Sequence, residues 1–252
     1  MLRIRGLTVA YGGPPVIDNV DLDVGTGQFV SLIGASGSGK TSVLRAVTRL
    51  LEPQRGTVEL DVPPRDVGFL FQDDALLPWR TALENAALGL RIRGVGRPDA
   101  LGTAGRWLSL LGLDGFGHRY PRQLSGGQRK RVALAQVLAL EPRLLLMDEP
   151  FASLDAIVRV RITEELLGWV ERQRLTVLLV THDLEEAISL SDVVYVLSQG
   201  PRAGVRARHL VPIPRPRHVL DSRGDAAFGP LLQRLWDDLG EPSPAGSQEP
   251  PR

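Results

Sequence analysis

The residues best placed to do chemistry form a glycine-rich run that ends in a lysine and a threonine, Gly34-Ala-Ser-Gly-Ser-Gly-Lys40-Thr41. Glycines at this spacing allow backbone angles that point successive N–H groups at a chain of phosphates. The lysine can then reach the β- and γ-phosphates, and the threonine hydroxyl can bind Mg²⁺. The run therefore predicts a nucleotide site formed by Gly34, Ala35, Ser36, Gly37, Ser38, Gly39, Lys40, Thr41 and Ser42, with Thr41 also a metal ligand.

Two adjacent carboxylates are the second chemical feature. Asp148 and Glu149 directly follow the apolar run 144–147 and precede Pro150. Ligands of parallel sheets bind at the carboxyl ends of the strands, so this position suits Asp148 to Mg²⁺ and Glu149 to general-base work on a water molecule. The alternative is that Asp-Glu-Pro only opens a helix, since acidic residues and proline favour a first turn.

Short apolar runs supply the elements that must position these residues. Residues 144–147 and 177–180 are continuous apolar runs of strand length, and residues 29–33 are apolar except for Ser31. Helical patterns follow the runs at 29–33 and 144–147, which predicts buried parallel strands alternating with helices. Residues 2–11 and 16–24 instead alternate apolar and polar side chains around a Gly-Gly-Pro turn, which predicts two antiparallel strands. The fold class predicted is α/β, with a parallel core of the P-loop NTPase type and an antiparallel β subdomain.

The rest of the chain divides into segments with different residue patterns. Residues 73–136 show helical periodicity and no convincing strand, which predicts a helical subdomain inserted in the core. Residues 205–213 are expected to form a strand pair. Residues 1–240 then make one nucleotide-binding domain, and the proline-rich tail 241–252 is expected to be disordered.

The composition is that of a globular protein, with 43% hydrophobic and 23% charged residues and a formal net charge of +1. So weak a global charge indicates no nucleic-acid partner. The chain has no cysteine, which leaves metal binding to oxygen and imidazole ligands. Arginines interrupt the apolar N-terminus, and no run of about 18 apolar residues occurs, so we expect neither a signal peptide nor a membrane span.

The peptide Leu124-Ser125-Gly126-Gly127-Gln128 resembles the signature peptide of ATP-binding-cassette (ABC) ATPases, and six further segments match that family's motifs in order. These are Tyr11 at the adenine-stacking position, residues 34–41 at Walker A, Gln72 at the Q-loop, Asp148 and Glu149 at Walker B, Ser153-Leu154-Asp155 at the D-loop, and His182 at the switch histidine. Seven matches in the right order are more specific than any one of them.

The resemblance implies a role for each matched residue. Gln72 contacts Mg²⁺ and the attacking water, and His182 contacts the γ-phosphate. The resemblance adds six residues to those predicted to bind nucleotide, namely Tyr11, Ser125, Gly126, Gly127, Gln128 and Asp155. The catalytic group is Glu149, Gln72 and His182, and the metal ligands are Thr41, Gln72 and Asp148. The cofactors implied are ATP and Mg²⁺.

The resemblance also implies that two subunits work together. A glycine-rich turn before the helix expected at residues 129–140 makes an anion site. In the family, the signature of one subunit covers the γ-phosphate that Walker A of the other subunit holds. We therefore expect a homodimer or pairing with a paralogous ATPase.

The basic run 129–131 is expected to be a solvated helix face.

Residues 71–81, Phe-Gln-Asp-Asp-Ala-Leu-Leu-Pro-Trp-Arg-Thr, are similar to the Q-loop region of ABC importers for nitrate, taurine and aliphatic sulfonates. This similarity implies an ATP-hydrolysing subunit held at the cytoplasmic face of the membrane by transmembrane permease subunits. An extracytoplasmic substrate-binding protein is the further partner expected. Two alternatives stay open, namely a soluble ABC ATPase in DNA repair, iron–sulfur assembly or ribosome function, and a P-loop kinase or GTPase-like switch.

Overall fold

The structure is a computed structural model that describes residues 1–152 and 154–240 of the 252-residue chain. In chain order, the strands of this described part are β1 (Leu2–Val9), β2 (Ile17–Val24), β3 (Phe29–Ile33), β4 (Arg55–Leu60), β5 (Val67–Leu70), β6 (Leu144–Asp148), β7 (Thr176–Thr181), β8 (Val193–Leu197) and β9 (Val205–Leu210). The helices are α1 (Lys40–Val47), α2 (Ala82–Ala86), α3 (Leu88–Ile92), α4 (Arg97–Leu110), α5 (Gly126–Leu138), α6 (Ala156–Gln173), α7 (Leu184–Leu190), α8 (Val219–Ser222) and α9 (Phe228–Leu239). The predictions for Ser153 and for the tail 241–252 lie outside the described residues.

The chain forms two compact units. Among the described residues, the first comprises Met1–Asp61 and those from Val177 onward, and the second comprises those between Val62 and Thr176. In the first unit, β1 lies between β2 and β4 and is antiparallel to both. The alternating pattern of β1 and β2 therefore forms the antiparallel sheet that the sequence predicts, whereas β4 was not foreseen.

A second sheet of the first unit carries the buried strands. β3 runs parallel to β7 on one side and to β8 on the other, and β9 is antiparallel to β8. Every residue of β3 and β7 is buried, which confirms that their apolar runs are central strands. The strand pair predicted at residues 205–213 is wrong, because this segment forms one strand whose partner, β8, precedes it in the chain.

Helices α7 and α9 cover this sheet. Their buried side chains, including Ile188, Leu231 and Leu235, pack in one cluster with Ile33 of β3 and Val194 of β8. The amphipathic pattern of residues 228–239 thus buries its apolar stripe and leaves its polar face outward. No helix within residues 1–152 and 154–240 combines the length and apolar character that crossing a bilayer requires.

The second unit begins with a parallel strand pair, β5 and β6, in register from Val67 opposite Leu144 to Leu70 opposite Met147. Between these strands the described elements are helical, in agreement with the periodicity of the sequence. The bounds 73–136 for an inserted subdomain stay a prediction. Helix α5 packs closely on β5, because a Cβ atom at Gly68 would lie 2.7 Å from Cγ1 of Val137.

A buried asparagine fixes the segment that leads into α2. Asn85 accepts a hydrogen bond from the Leu77 N–H at 2.7 Å and donates to the carbonyl oxygens of Leu77, Arg80 and Thr81 at 3.0–3.1 Å. Thr81 and Glu84 form a capping box at the start of the same helix. The backbone hydrogen bond from Thr81 is the main cause that lowers the pKa of Glu84.

Gly56 provides a test of the first unit's sheet. Its φ of +90° is left-handed, and a Cβ atom there would lie 2.5 Å from the carbonyl oxygens of Arg5 and Gly6 in β1. We expect Gly56→Ala to lower the free energy of unfolding by about 3 kcal/mol, because the left-handed angle and the backbone clash both act. Urea titration of the nucleotide-free protein, followed by circular dichroism, measures this change.

Gly94→Ala is the matched control, because Gly94 has a φ of +86° and nothing within 4 Å of the added Cβ. Only the left-handed backbone angle then destabilises the variant, and the free energy of unfolding should fall by about 1 kcal/mol. Equal losses in the two variants would contradict the close approach of β4 to β1.

Candidate functional site

The phosphate loop (residues 34–41) joins the end of β3 to the start of α1 in the first unit. Gly37 and Gly39 have φ angles of +80° and +88°, which L residues with side chains rarely adopt. At Gly39 a Cβ atom would also lie 2.5 Å from Cγ2 of Ile17. The loop therefore needs glycine at this position both for its backbone angle and for its approach to the neighbouring strand.

Lys40 is buried inside this loop, with 6% of its surface exposed. Its ammonium donates hydrogen bonds to the carbonyl oxygens of Gly34 at 2.8 Å and Ala35 at 2.9 Å. The Ser38 hydroxyl is also buried, and it has no hydrogen-bond partner among the described residues. A buried cation and an unmatched hydroxyl beside left-handed glycines form a cradle that fits a polyphosphate.

Tyr11 lies beside the same loop. Its hydroxyl is 3.0 Å from the Ser42 hydroxyl, while 54% of its surface stays exposed. The tyrosine is thus held at its tip and presents an open ring face. A cavity of about 560 Å³, lined by residues 14–16, 35–37 and 199–201, also adjoins the loop.

His182 follows β7 at the edge of the first unit's parallel sheet. Ile33 of β3 pairs with Thr181 of β7, so Gly34 and His182 leave the sheet at the same edge. The Asp183 carboxylate caps α7 by accepting from the Glu186 N–H at 3.0 Å, and the Thr181 hydroxyl donates to the Glu186 carboxylate. These bonds fix the turn that carries the exposed imidazole.

The two carboxylates lie at the corresponding edge of the second unit. Asp148 ends the fully buried β6 and is 2% exposed, while Glu149 has a left-handed φ of +45°. Such an angle strains a residue with a side chain and is found mainly where a site requires it. Because Leu70 pairs with Met147, the exposed Gln72 leaves β5 at the edge where the carboxylates leave β6.

The signature turn (residues 125–128) is a capping box. The Ser125 hydroxyl accepts from the Gln128 N–H at 3.2 Å, and the Gln128 side-chain oxygen accepts from the Ser125 N–H at 2.9 Å. Helix α5 therefore starts at Gly126, three residues before the expected Arg129, and both glycines lie in its first turn. The Ser-x-x-Gln spacing is a sequence signal that could have located this start.

Asp155 also caps a helix. Its carboxylate accepts from the Val158 N–H at 3.0 Å at the start of α6. The neighbouring Leu154 packs close to the signature turn, because a Cβ atom at Gly127 would lie 3.2 Å from Cδ2 of Leu154. The predicted contact of Asp155 with nucleotide stays a prediction.

Lys130 is a site residue that the sequence reasoning missed, since residues 129–131 were expected to be a solvated face. It is 3% exposed and donates to the carbonyl oxygens of Phe71 at 2.7 Å and Gln72 at 2.8 Å. Burial lowers its pKa, against the opposing influence of Asp74, Asp148, Asp73 and Glu149. Its spacing from the buried Leu134 and Val137 places it on the inner face of α5, which the helical period could have revealed.

Comparison with known proteins identifies the family of this chain. Residues 17–152, more than half of its length, match the sequence profile of the ABC transporter family.

This chain belongs to the ABC transporter family. It is 43% identical over 239 residues to the aliphatic sulfonates import ATP-binding protein SsuB 1 of Paracoccus denitrificans, covering 95% of this chain and 93% of that protein. It is 41% identical over 206 residues to the taurine import ATP-binding protein TauB of Yersinia pestis, covering 80% and 81% respectively. The predicted resemblance to the ABC family is confirmed.

A solved structure confirms the predicted fold class of this ABC protein. The dimeric structure of MJ0796, a bacterial ABC transporter cassette, superposes with a TM-score of 0.78 at 31% identity, covering 85% of this chain and 100% of that one. A second structure of MJ0796, in a post-hydrolysis state bound to ADP and Pi, superposes equally well. Nucleotide binding by this ABC cassette follows from its family membership.

The capping box of this ABC protein predicts the stability of Ser125 variants. Ser125→Ala should lower the free energy of unfolding by about 1 kcal/mol, because the Gln128 N–H loses its acceptor. Ser125→Asn should change it by no more than about 0.3 kcal/mol, because asparagine caps as well as serine does. Urea unfolding without nucleotide measures both, and equal losses would mean that the capping bond contributes nothing.

Proposed function

We propose that this chain is the ATP-binding and ATP-hydrolysing subunit of an ABC importer for aliphatic sulfonates, taurine, nitrate or a similar small solute. The observation that carries the proposal is the nearly full-length similarity to an aliphatic sulfonates import ATP-binding protein. The similarity to a taurine import ATP-binding protein supports the same class of solute. The ATPase subunit does not contact the solute in this proposal. The other subunits therefore supply the pocket that binds the solute.

The phosphate loop binds the nucleotide in this proposal. The backbone N–H groups of the loop and the N-terminus of α1 favour the phosphate charges in this proposal, and Lys40 exchanges its bonds to the Gly34 and Ala35 carbonyls for bonds to phosphate oxygens. The unmatched Ser38 hydroxyl offers one more donor. Tyr11 then stacks its exposed ring on adenine, held in place by Ser42.

The hydroxyl of Thr41, the carboxylate of Asp148 and the amide oxygen of Gln72 are each hard oxygen ligands of the kind that Mg²⁺ prefers, and in this proposal they are the residues that would hold the ion. When bound, the ion neutralises charge on the β- and γ-phosphates. Glu149 takes a proton from the attacking water at its carboxylate, and its left-handed backbone fixes the direction of that side chain. His182 stabilises the γ-phosphate from the end of β7.

Two copies act together in this proposal. The first turn of α5, opened by the Ser125 cap, presents the N–H groups of Gly126 and Gly127 to the γ-phosphate bound by the partner copy, with Gln128 and Asp155 beside it. The dimeric form of MJ0796 supports such pairing, with an identical chain or a paralogue. Permease subunits and an extracytoplasmic substrate-binding protein complete the importer, which places this chain at the cytoplasmic face of the membrane.

Hydrolysis tests the role of Glu149. We expect Glu149→Gln to lower the ATP turnover number by about 10²- to 10⁴-fold while ATP still binds, because an amide keeps the shape of the carboxylate but takes no proton. Lys40→Ala should instead lose ATP affinity, because it removes the cation from the phosphates. Phosphate release and equilibrium ATP binding measure the two effects. Wild-type turnover in Glu149→Gln would refute the assignment of the base.

Pairing is tested by size-exclusion chromatography of Glu149→Gln. We expect ATP·Mg²⁺ to convert this variant from monomer to dimer, because the bound γ-phosphate persists and joins the two copies. The double variant Lys40→Ala/Glu149→Gln is the control and should stay monomeric, since it binds no ATP. A monomer of Glu149→Gln at saturating ATP and high protein concentration would contradict pairing through nucleotide alone.

A further inference from the structure

The buried position of Lys130 calls for a specific partner. Removing a lysine from water costs free energy unless its ammonium is fully hydrogen-bonded, and an apolar side chain could fill the same space at less cost. The two bonds that Lys130 makes, at 2.7 and 2.8 Å, both go to the backbone where β5 ends, at Phe71 and Gln72. The residue is therefore suited to hold this stretch of backbone in place.

Helix α5 provides a rigid base for these bonds. Val137, seven residues after Lys130 and on the same face of the helix, packs against Gly68 in β5, with no room for a side chain at that glycine. This contact fixes the helix along the strand. Two turns earlier, Lys130 reaches the point where the strand ends.

The charges around Lys130 are opposite in sign to its ammonium. Asp73 and Asp74 follow Gln72 in the chain, and Asp148 and Glu149 end the neighbouring strand, so all four carboxylates attract the ammonium. Hydrogen bonds from an ammonium to a carbonyl are stronger than those from a neutral donor. Arg129 adds a half-exposed ion pair with Asp74 at 3.1 Å, which contributes little by itself.

We propose that Lys130 is a positioning residue for Gln72. The ammonium fixes the carbonyl groups of Phe71 and Gln72, and thereby sets the backbone from which the Gln72 side chain projects. The same bonds join Gln72 to the helix that begins at the signature turn. This inference rests on the proposed function, since the work of Gln72 in ATP hydrolysis is part of it.

A purely structural role for Lys130 predicts a loss of stability and no selective loss of catalysis. Arg131 is the matched control for that possibility. It is the next residue of α5, it is also partly buried, and it donates to the backbone carbonyl oxygens of Leu111 at 3.0 Å and Gly112 at 3.1 Å, with a longer bond of 3.3 Å to Gly127 one turn earlier in the same helix. Its bonds outside α5 hold a different loop, so Arg131→Met removes a comparable contact without touching Gln72.

Kinetics of the full chain test the proposal. We expect Lys130→Met to lower kcat for ATP hydrolysis about tenfold with the KM for ATP within about twofold, because Gln72 acts after the nucleotide is bound. Arg131→Met should leave kcat within about twofold of the wild type. In a Gln72→Ala background, Lys130→Met should lower kcat no further. A wild-type kcat in Lys130→Met, or an equal loss in the Gln72→Ala background, would overturn the proposal.

Hydrogen–deuterium exchange of the nucleotide-free chain gives a readout that is independent of hydrolysis. Backbone amides of residues 72–76 should exchange faster in Lys130→Met than in the wild type and should be unchanged in Arg131→Met. Unchanged exchange in Lys130→Met would also overturn the proposal. If the wild-type chain hydrolysed no ATP, the proposed function would fail, whereas the exchange result would still report on the backbone contact.

Discussion

The register of parallel strands is the constraint on which the rest of the site depends. In the first unit β3 and β7 end together, with Ile33 opposite Thr181, and in the second β5 and β6 end together, with Leu70 opposite Met147. Since parallel strands share a direction, the residues that follow them emerge at one edge in each unit. Backbone groups there leave the hydrogen-bonded ladder, so polar residues can occupy this edge without disturbing the buried strands.

Those buried strands also sustain the strained backbone of the site. Glu149 holds a left-handed angle at a cost of about 1–2 kcal/mol, directly after a strand in which every side chain is buried. At Gly39 an added Cβ atom would clash with the Ile17 side chain at 2.5 Å, in a backbone conformation that already favours glycine. Strain of this kind persists only where the surrounding packing determines the chain path, which is why both positions adjoin the apolar core.

The sequence predicts those elements whose signal is local. The apolar runs of β3, β6 and β7 and the phosphate loop needed no distant partner to be recognised. β4 was missed because its side chains are mostly exposed, and β9 was misread as a strand pair because its partner β8 lies earlier in the chain. The start of α5 was placed too late, since two glycines suggested a turn while the Ser-x-x-Gln cap determines the helix start. The roles of the site residues rest on the family pattern and stay predictions.

The two lysines of this arginine-rich chain have the same kind of environment. Only Lys40 and Lys130 are lysines among 30 basic residues, and each is buried with its ammonium on two consecutive carbonyl oxygens just beyond a parallel strand. An ammonium directs three N–H bonds from one atom, so it suits carbonyl oxygens that converge on a point. The difference lies in what can compete for the cation. In the proposed function phosphate competes for the ammonium of Lys40, whereas the groups that interact with Lys130 are two backbone carbonyls and nearby carboxylates, so Lys130 is suited to hold a position.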